Sequence, residues 1–133
     1  MVGAISPWNV PLALATVKIA PALAAGNAVV LKPADLAPYS VVRLAQLAVE
    51  AGIPAGQIAV LPGLGHETGH ALVTERGIDY LSFTGSTATG ARIMADIVPP
   101  AVERLEPALW RRLSLVQQVR EEDMPRVRAV YDK

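Results

Sequence analysis

Short, uninterrupted apolar runs alternate with longer stretches of helical periodicity along the first two-thirds of the chain. Val2 to Ser6, Ala28 to Leu31, Ile58 to Leu61 and Tyr80 to Phe83 read as strands. Continuous apolar character, rather than strict alternation, is expected of strands buried on both faces of a parallel sheet. Leu12 to Leu23 is rich in alanine and leucine and predicts a helix, broken near Pro21 and closed by Gly26-Asn27. Val42, Leu44, Ala45, Ala48 and Val49 make the apolar stripe of a second helix, with Ser40 as its cap and Glu50-Ala51-Gly52 as its end. A short helix is predicted for Thr68 to Thr74, and a fourth begins over Thr87 to Met94. The alternation predicts an α/β fold, a truncated Rossmann-like unit of about four parallel strands with flanking helices.

The pattern then changes. All 10 glycines lie at or before Gly90, whereas the last 37 residues hold seven basic and six acidic side chains, and Pro99-Pro100 marks the break. Val102, Leu105, Leu109, Leu113 and Val116 recur at helical spacing, interrupted by Pro107. Glu121-Glu122-Asp123 is placed to open a last short helix, since acidic residues favour a helix N-terminus. This segment reads as a charged helical C-terminal tail, packed across the sheet or presented to a partner.

The 133 residues suffice for one domain with a core, and 52% of them are hydrophobic. Formal net charge is zero, which offers no electrostatic reason to bind nucleic acid or an anionic membrane. The longest apolar stretch, Val10 to Leu31, contains Lys18, Pro21 and Asn27 and makes a poor membrane span. No basic leader precedes Ile5, and the reading is cytoplasmic. The chain has no cysteine, so it carries no disulfide, thiolate metal site or thiol nucleophile.

Three polar clusters follow the predicted strands, where a parallel α/β sheet binds its ligands. Gly85-Ser86-Thr87-Ala88-Thr89-Gly90 lies between a strand and a helix. The free N–H groups of such a helix start suit a pyrophosphate, although this is not the G-x-G-x-x-G fingerprint. Lys32 follows the second strand, with Asp35 three residues on. The lysine can donate to ribose or phosphate, and the carboxylate can accept from a ribose 2′-hydroxyl. Trp8 and Asn9 stand between Pro7 and Pro11, which fix the backbone and aim the Asn9 amide as a donor to a developing oxyanion. Each cluster also has a plain reading as an ordinary turn. A fourth motif belongs to another chemistry. His66-Glu67-Thr68-Gly69-His70 matches the H-E-x-x-H of zinc hydrolases, with Glu75, Asp96 or Glu103 available as a third ligand. Against it, glycines 63 and 65 push His66 to the helix start, and Gly69 weakens the helix between the histidines. No metal is expected.

Taken together, Val2-Gly3-Ala4-Ile5-Ser6-Pro7-Trp8-Asn9-Val10-Pro11, Ala22-Leu23-Ala24-Ala25-Gly26-Asn27, Lys32-Pro33-Ala34-Asp35, Pro62-Gly63-Leu64-Gly65 and Phe83-Thr84-Gly85-Ser86-Thr87 resemble the aldehyde dehydrogenase superfamily from Val2 to Met94. The resemblance implies that residues 1–96 are a partial dinucleotide-binding domain and 97–133 a divergent tail. It implies that Ile5, Ser6 and Trp8 line a cofactor channel and that Lys32 and Asp35 hold the adenosine ribose. Gly65 and Gly69 would let a helix approach the adenine, Gly85 and Ser86 would contact the pyrophosphate, and Asn9 would complete an oxyanion hole. The family usually has glutamate where Asp35 stands; the shorter carboxylate still favours NAD over NADP. The resemblance fails further on. The family's Glu-Leu-Gly-Gly segment is not found in Glu103 to Arg112, where Glu106 lies near the expected general base but an ungapped match places Ala108 there. The cysteine nucleophile has no counterpart, and the chain begins inside the family's pattern. The expectation is an oxidoreductase cofactor portion inactive alone, with a homo-oligomer or another chain covering its cut sheet. The alternative is a non-catalytic remnant or interaction module.

Overall fold

The computed structural model describes residues 1–104 and 124–131, which fall in two compact units, Met1–Gly85 and Ser86–Lys133. In the first, β1 (Val2–Ile5), β2 (Val29–Lys32), β3 (Ile58–Val60) and β4 (Tyr80–Phe83) form one sheet of order β3-β2-β1-β4, parallel throughout. Helices α1 (Pro11–Ala24), α2 (Tyr39–Glu50) and α3 (His70–Thr74) connect the strands, with a 3₁₀ turn at Ala55–Gln57 and a π-helical turn at Gly65–Gly69 that runs into α3. The chain winds outward from β1 to β3, then returns to lay β4 along the other side of β1. This is the α/β, Rossmann-like arrangement that the alternating pattern predicts.

Register places the core. Val2 and Ala4 of β1 stand beside Val29 and Leu31 of β2, which stand beside Ile58 and Val60 of β3. Side chains two apart share a face of a strand, so these residues make one apolar surface. Ala15, Ile19 and Ala22 of α1 and Val41 of α2 close over it. On the opposite face, Gly3 admits Ile78, whose Cγ2 would lie only 3.0 Å from a Cβ at that position.

Two helices end in the same way. Gly26 N–H donates to Leu23 O at 2.9 Å and Asn27 N–H to Ala22 O at 3.0 Å; Gly52 N–H donates to Val49 O and Ile53 N–H to Ala48 O, both at 3.0 Å. Both are Schellman closures, and the glycines take the left-handed backbone they need, with φ of +77° and +103°. The sequence signals Gly26-Asn27 and Gly52 therefore stop α1 and α2 as predicted.

Three boundaries differ from expectation. α1 runs through Pro21 to Ala24, because the Pro21 carbonyl still accepts from Ala25 N–H at 3.0 Å and only one helical donor is lost. Ser40 does not cap α2. Pro38 occupies the cap position, and its carbonyl accepts from Val41 and Val42 at 3.1 and 3.0 Å, leaving Ser40 inside the first turn. The helix predicted from Thr68 starts earlier, because the π turn takes in Gly65 to Gly69.

The second unit contains α4 (Thr87–Glu103) and α5 (Met124–Tyr131), which touch one another. α4 continues through Pro99 and Pro100. The predicted stripe at Leu105, Leu109, Leu113 and Val116, with Pro107, Glu106 and the acidic triplet Glu121 to Asp123, lies outside the described residues. Among the described residues, no helix is long and apolar enough to cross a membrane.

Candidate functional site

Parallel strands finish on one edge, and the loops that leave that edge carry the predicted residues of the first unit. Ile5, the last residue of β1, is in register with Lys32 of β2 and Phe83 of β4. Backbone bonds continue past the strands. Ser6 N–H donates to Lys32 O at 3.2 Å, Thr84 N–H to Ile5 O at 3.1 Å and Leu61 N–H to Leu31 O at 2.9 Å. These bonds hold the starts of all four loops at fixed spacing. Trp8, Asn9, Asp35, Gly65 and Gly85 are exposed along this rim, whereas Ser6, Lys32 and Gly69 lie buried behind it. Ile5 is half-buried between the two groups.

Lys32 is an unusual rim residue. It is 4% exposed, and its Nζ donates to the carbonyl of Pro33 at 2.8 Å. Its methylenes lie against the π turn, where a Cβ added to Gly69 would meet Lys32 Cδ at 3.7 Å and Cε at 3.9 Å. Burial pushes the Lys32 ammonium below its ordinary value, opposed by the negative charge of Asp35. Gly85 is shaped by a neighbour: a Cβ there would run into the Phe83 ring at 2.5 Å, so the loop tip carries bare backbone. In the second unit, Ser86 caps α4. Its Oγ accepts from Thr89 N–H at 3.1 Å and lies 2.9 Å from Thr89 Oγ1, while Ser86 O accepts from Gly90 N–H at 3.0 Å.

Ser6 is the one buried side-chain polar atom without a hydrogen-bond partner among the described residues. A buried hydroxyl left unpaired costs free energy, and such an atom at a ligand-binding edge marks a place where a ligand group would satisfy it. Beside it in the sheet-end loops, the Gly85 tip offers bare backbone.

The H-E-x-x-H segment is arranged differently. His66 and Glu67 are exposed in the π turn, with Nε2 and Oε1 3.8 Å apart, and His70 begins α3. Among the described residues, no group of three or more His, Asp or Glu side chains is placed to hold a metal ion.

Sequence reasoning missed Lys18. It occupies the apolar stripe of α1 with Ala15, Ile19 and Ala22, is 8% exposed, and donates from Nζ to Ser82 Oγ of β4 at 2.9 Å. The available signal was a lysine at a core-facing position of a helix. Burial lowers its pKa as well. Both lysines therefore bind fewer protons folded than unfolded between their folded values and the ordinary one of 10.5. Stability should rise with pH across that window and carry the full penalty below it. The urea midpoint of the wild-type chain is expected to climb as pH approaches the ordinary lysine value, and Lys18→Met should flatten that climb; parallel curves for the two proteins would refute it.

Comparison with known proteins brings this geometry together. Residues 1–106 match the Aldehyde dehydrogenase family. The chain is 52% identical over 96 residues to the NADP/NAD-dependent aldehyde dehydrogenase PuuC of Escherichia coli strain K12, covering 72% of this chain and 19% of that protein. A crystal structure of an NAD-dependent benzaldehyde dehydrogenase from Corynebacterium glutamicum superposes with a TM-score of 0.70 at 48% identity, covering 73% of this chain and 22% of that one. AldA, an indole-3-acetaldehyde dehydrogenase of P. syringae solved in complex with NAD+ and IAA, also superposes at 0.70, with 52% identity over 71% of this chain and 19% of that one. The chain thus spans about a fifth of the length of the relatives it matches. A parallel sheet of this order, polar loops on its carboxyl edge and identity near one-half over most of the chain lead to one conclusion: this chain belongs to the aldehyde dehydrogenase family.

Proposed function

We propose that this chain supplies the nicotinamide-dinucleotide-binding portion of an aldehyde dehydrogenase and does not oxidise aldehydes alone. The observation that carries the reading is the register of Ile5 with Lys32 and Phe83, which gathers the loops of the first unit on one ligand-binding edge. In this reading Ile5, Ser6 and Trp8 line the cofactor channel, and Lys32 and Asp35 hold the adenosine ribose. The bare backbone of Gly65 and Gly69 faces the adenine, and Gly85 and Ser86 meet the pyrophosphate. Asn9, fixed between its prolines, donates to an oxyanion. When bound, the dinucleotide supplies a hydride acceptor. Lys32 must leave the Pro33 carbonyl to reach a ribose hydroxyl, and the exposed Asp35 carboxylate disfavours a 2′-phosphate, which supports NAD over NADP. No thiol nucleophile is present in these 133 residues, so the thiol adduct from which an aldehyde hydride would pass to the nicotinamide does not form on this chain.

Isothermal titration with NAD and with NADP tests the reading. Binding of NAD, weaker binding of NADP, and no NADH formed on adding an aldehyde are the expected results; absence of heat with either dinucleotide overturns it. Ser6→Ala sharpens the test. Removing an unpaired buried hydroxyl should leave stability unchanged or raise it, by up to about 1 kcal/mol. The same substitution should weaken NAD by roughly two- to tenfold, the value of one neutral hydrogen bond.

A second reading, an interaction module, is favoured by the sheet edge. β4 has β1 on one side, and Tyr80 on it is 65% exposed. The strand carries no lysine or proline to discourage pairing. An assembly seen by light scattering that does not respond to NAD would favour this reading.

A further inference from the structure

α1 covers β1 and β2 but leaves space above β4. A cavity of about 390 Å³ opens there, with Val2, Val17, Pro21 and Ala22 as apolar walls, Asn27 and Tyr80 at its polar side, and Lys18 hydrogen-bonded to Ser82 within it. An amine held in a solvent-open cavity with an apolar wall is a nucleophile beside space for a small, largely apolar partner. We infer that Lys18 is a carbonyl-reactive amine that captures small apolar aldehydes as a reversible imine in this cavity.

The chemistry balances without an oxidant or reductant. The Lys18 nitrogen lone pair attacks the carbonyl carbon, a proton moves from nitrogen to the former carbonyl oxygen, and the carbinolamine loses water to leave the C=N bond. Ser82 Oγ, 2.9 Å from Nζ, orients the amine toward the cavity and is placed to carry the proton to the departing hydroxyl. Among the described residues, the titratable groups lining the cavity are Lys18 and Tyr80, and no carboxylate lines it to hold the amine in its protonated form. Burial lowers the lysine pKa in the same sense, which enlarges the free-amine fraction near neutrality. The rim lysine is placed differently: Lys32 Nζ donates to the Pro33 carbonyl, and the residue stands on the opposite face of the sheet by the alternation of Leu31 and Lys32. The inference is independent of the dinucleotide reading, because Lys18 and Ser82 are not among the rim residues.

The chain has only three lysines, Lys18, Lys32 and Lys133, which makes an internal comparison simple. The intact protein is incubated with propanal and sodium cyanoborohydride at neutral pH, and the propyl adduct is located by peptide mass mapping. Lys18 is expected to label several-fold faster than Lys133, because the cavity holds its amine beside Ser82 and burial favours the free-amine form. That ratio should fall to near one in denaturing urea, and Lys18→Arg should remove the adduct while keeping the positive charge. A Lys18 to Lys133 ratio near or below one in the folded protein would overturn the inference, and this comparison needs no variant to fold.

Discussion

Leu31→Ala is expected to cost about 2–5 kcal/mol of folding free energy, the range for removing a large apolar side chain from a packed core. Leu31 is fully buried in the interior strand β2, in register with Ala4 on one side and Val60 on the other. Two of the residues near it in the core cluster, Ala4 and Ala15, are already small, so little can shift to refill the space. Most of the cavity term should therefore be felt. Leu36→Ala supplies the control, since Leu36 is 80% exposed and its truncation should stay within about 0.5 kcal/mol. Urea denaturation of the two variants against wild type decides the matter. Equal midpoints would mean that β2 is not the centre of the fold.

Gly63→Ala should be nearly as damaging, for a different reason. A Cβ at this position would stand 2.0 Å from Thr68 Oγ1 and 2.9 Å from Thr68 Cβ. The conflict is with a residue of the π turn, so relief requires displacement of that turn or an unfavourable Thr68 rotamer. Overpacking of this kind costs about 1–3 kcal/mol. The double variant with Thr68→Ala removes the 2.0 Å overlap but leaves the 2.9 Å one, and should recover part of the loss. A double-mutant cycle reads that coupling directly. The same displacement would move Gly69 away from the Lys32 methylenes, so Gly63→Ala should also weaken NAD under the dinucleotide reading. Additive losses with no recovery by Thr68→Ala would show that the π turn is placed otherwise.

Much of the fold was legible because its signals are local. Continuous apolar runs marked all four strands within a residue, and Gly26 and Gly52 marked the helix ends, since a Schellman closure needs a left-handed residue there. The failures were also local in form but non-local in cause. Pro21 looked like a break, yet α1 packs against β1 and β2 along its length and retains its course. Ser40 looked like a cap, but the Pro38 carbonyl began the helix first. The rim was legible as separate clusters after strands, while the paired Lys18 and Ser82, 64 residues apart, were not.

Residue order alone established the alternation of strand and helix, the glycine stops, the lack of any thiol and the polar clusters that follow three of the strands. Folding in three dimensions settled the sequence of strands across the sheet, the burial of Lys18 beneath α1 and the turning of Lys32 onto Pro33. The division has a physical cause: backbone preference and side-chain periodicity act over a few neighbours, whereas a strand chooses its partners, and a lysine its environment, through contacts between segments that the chain holds far apart.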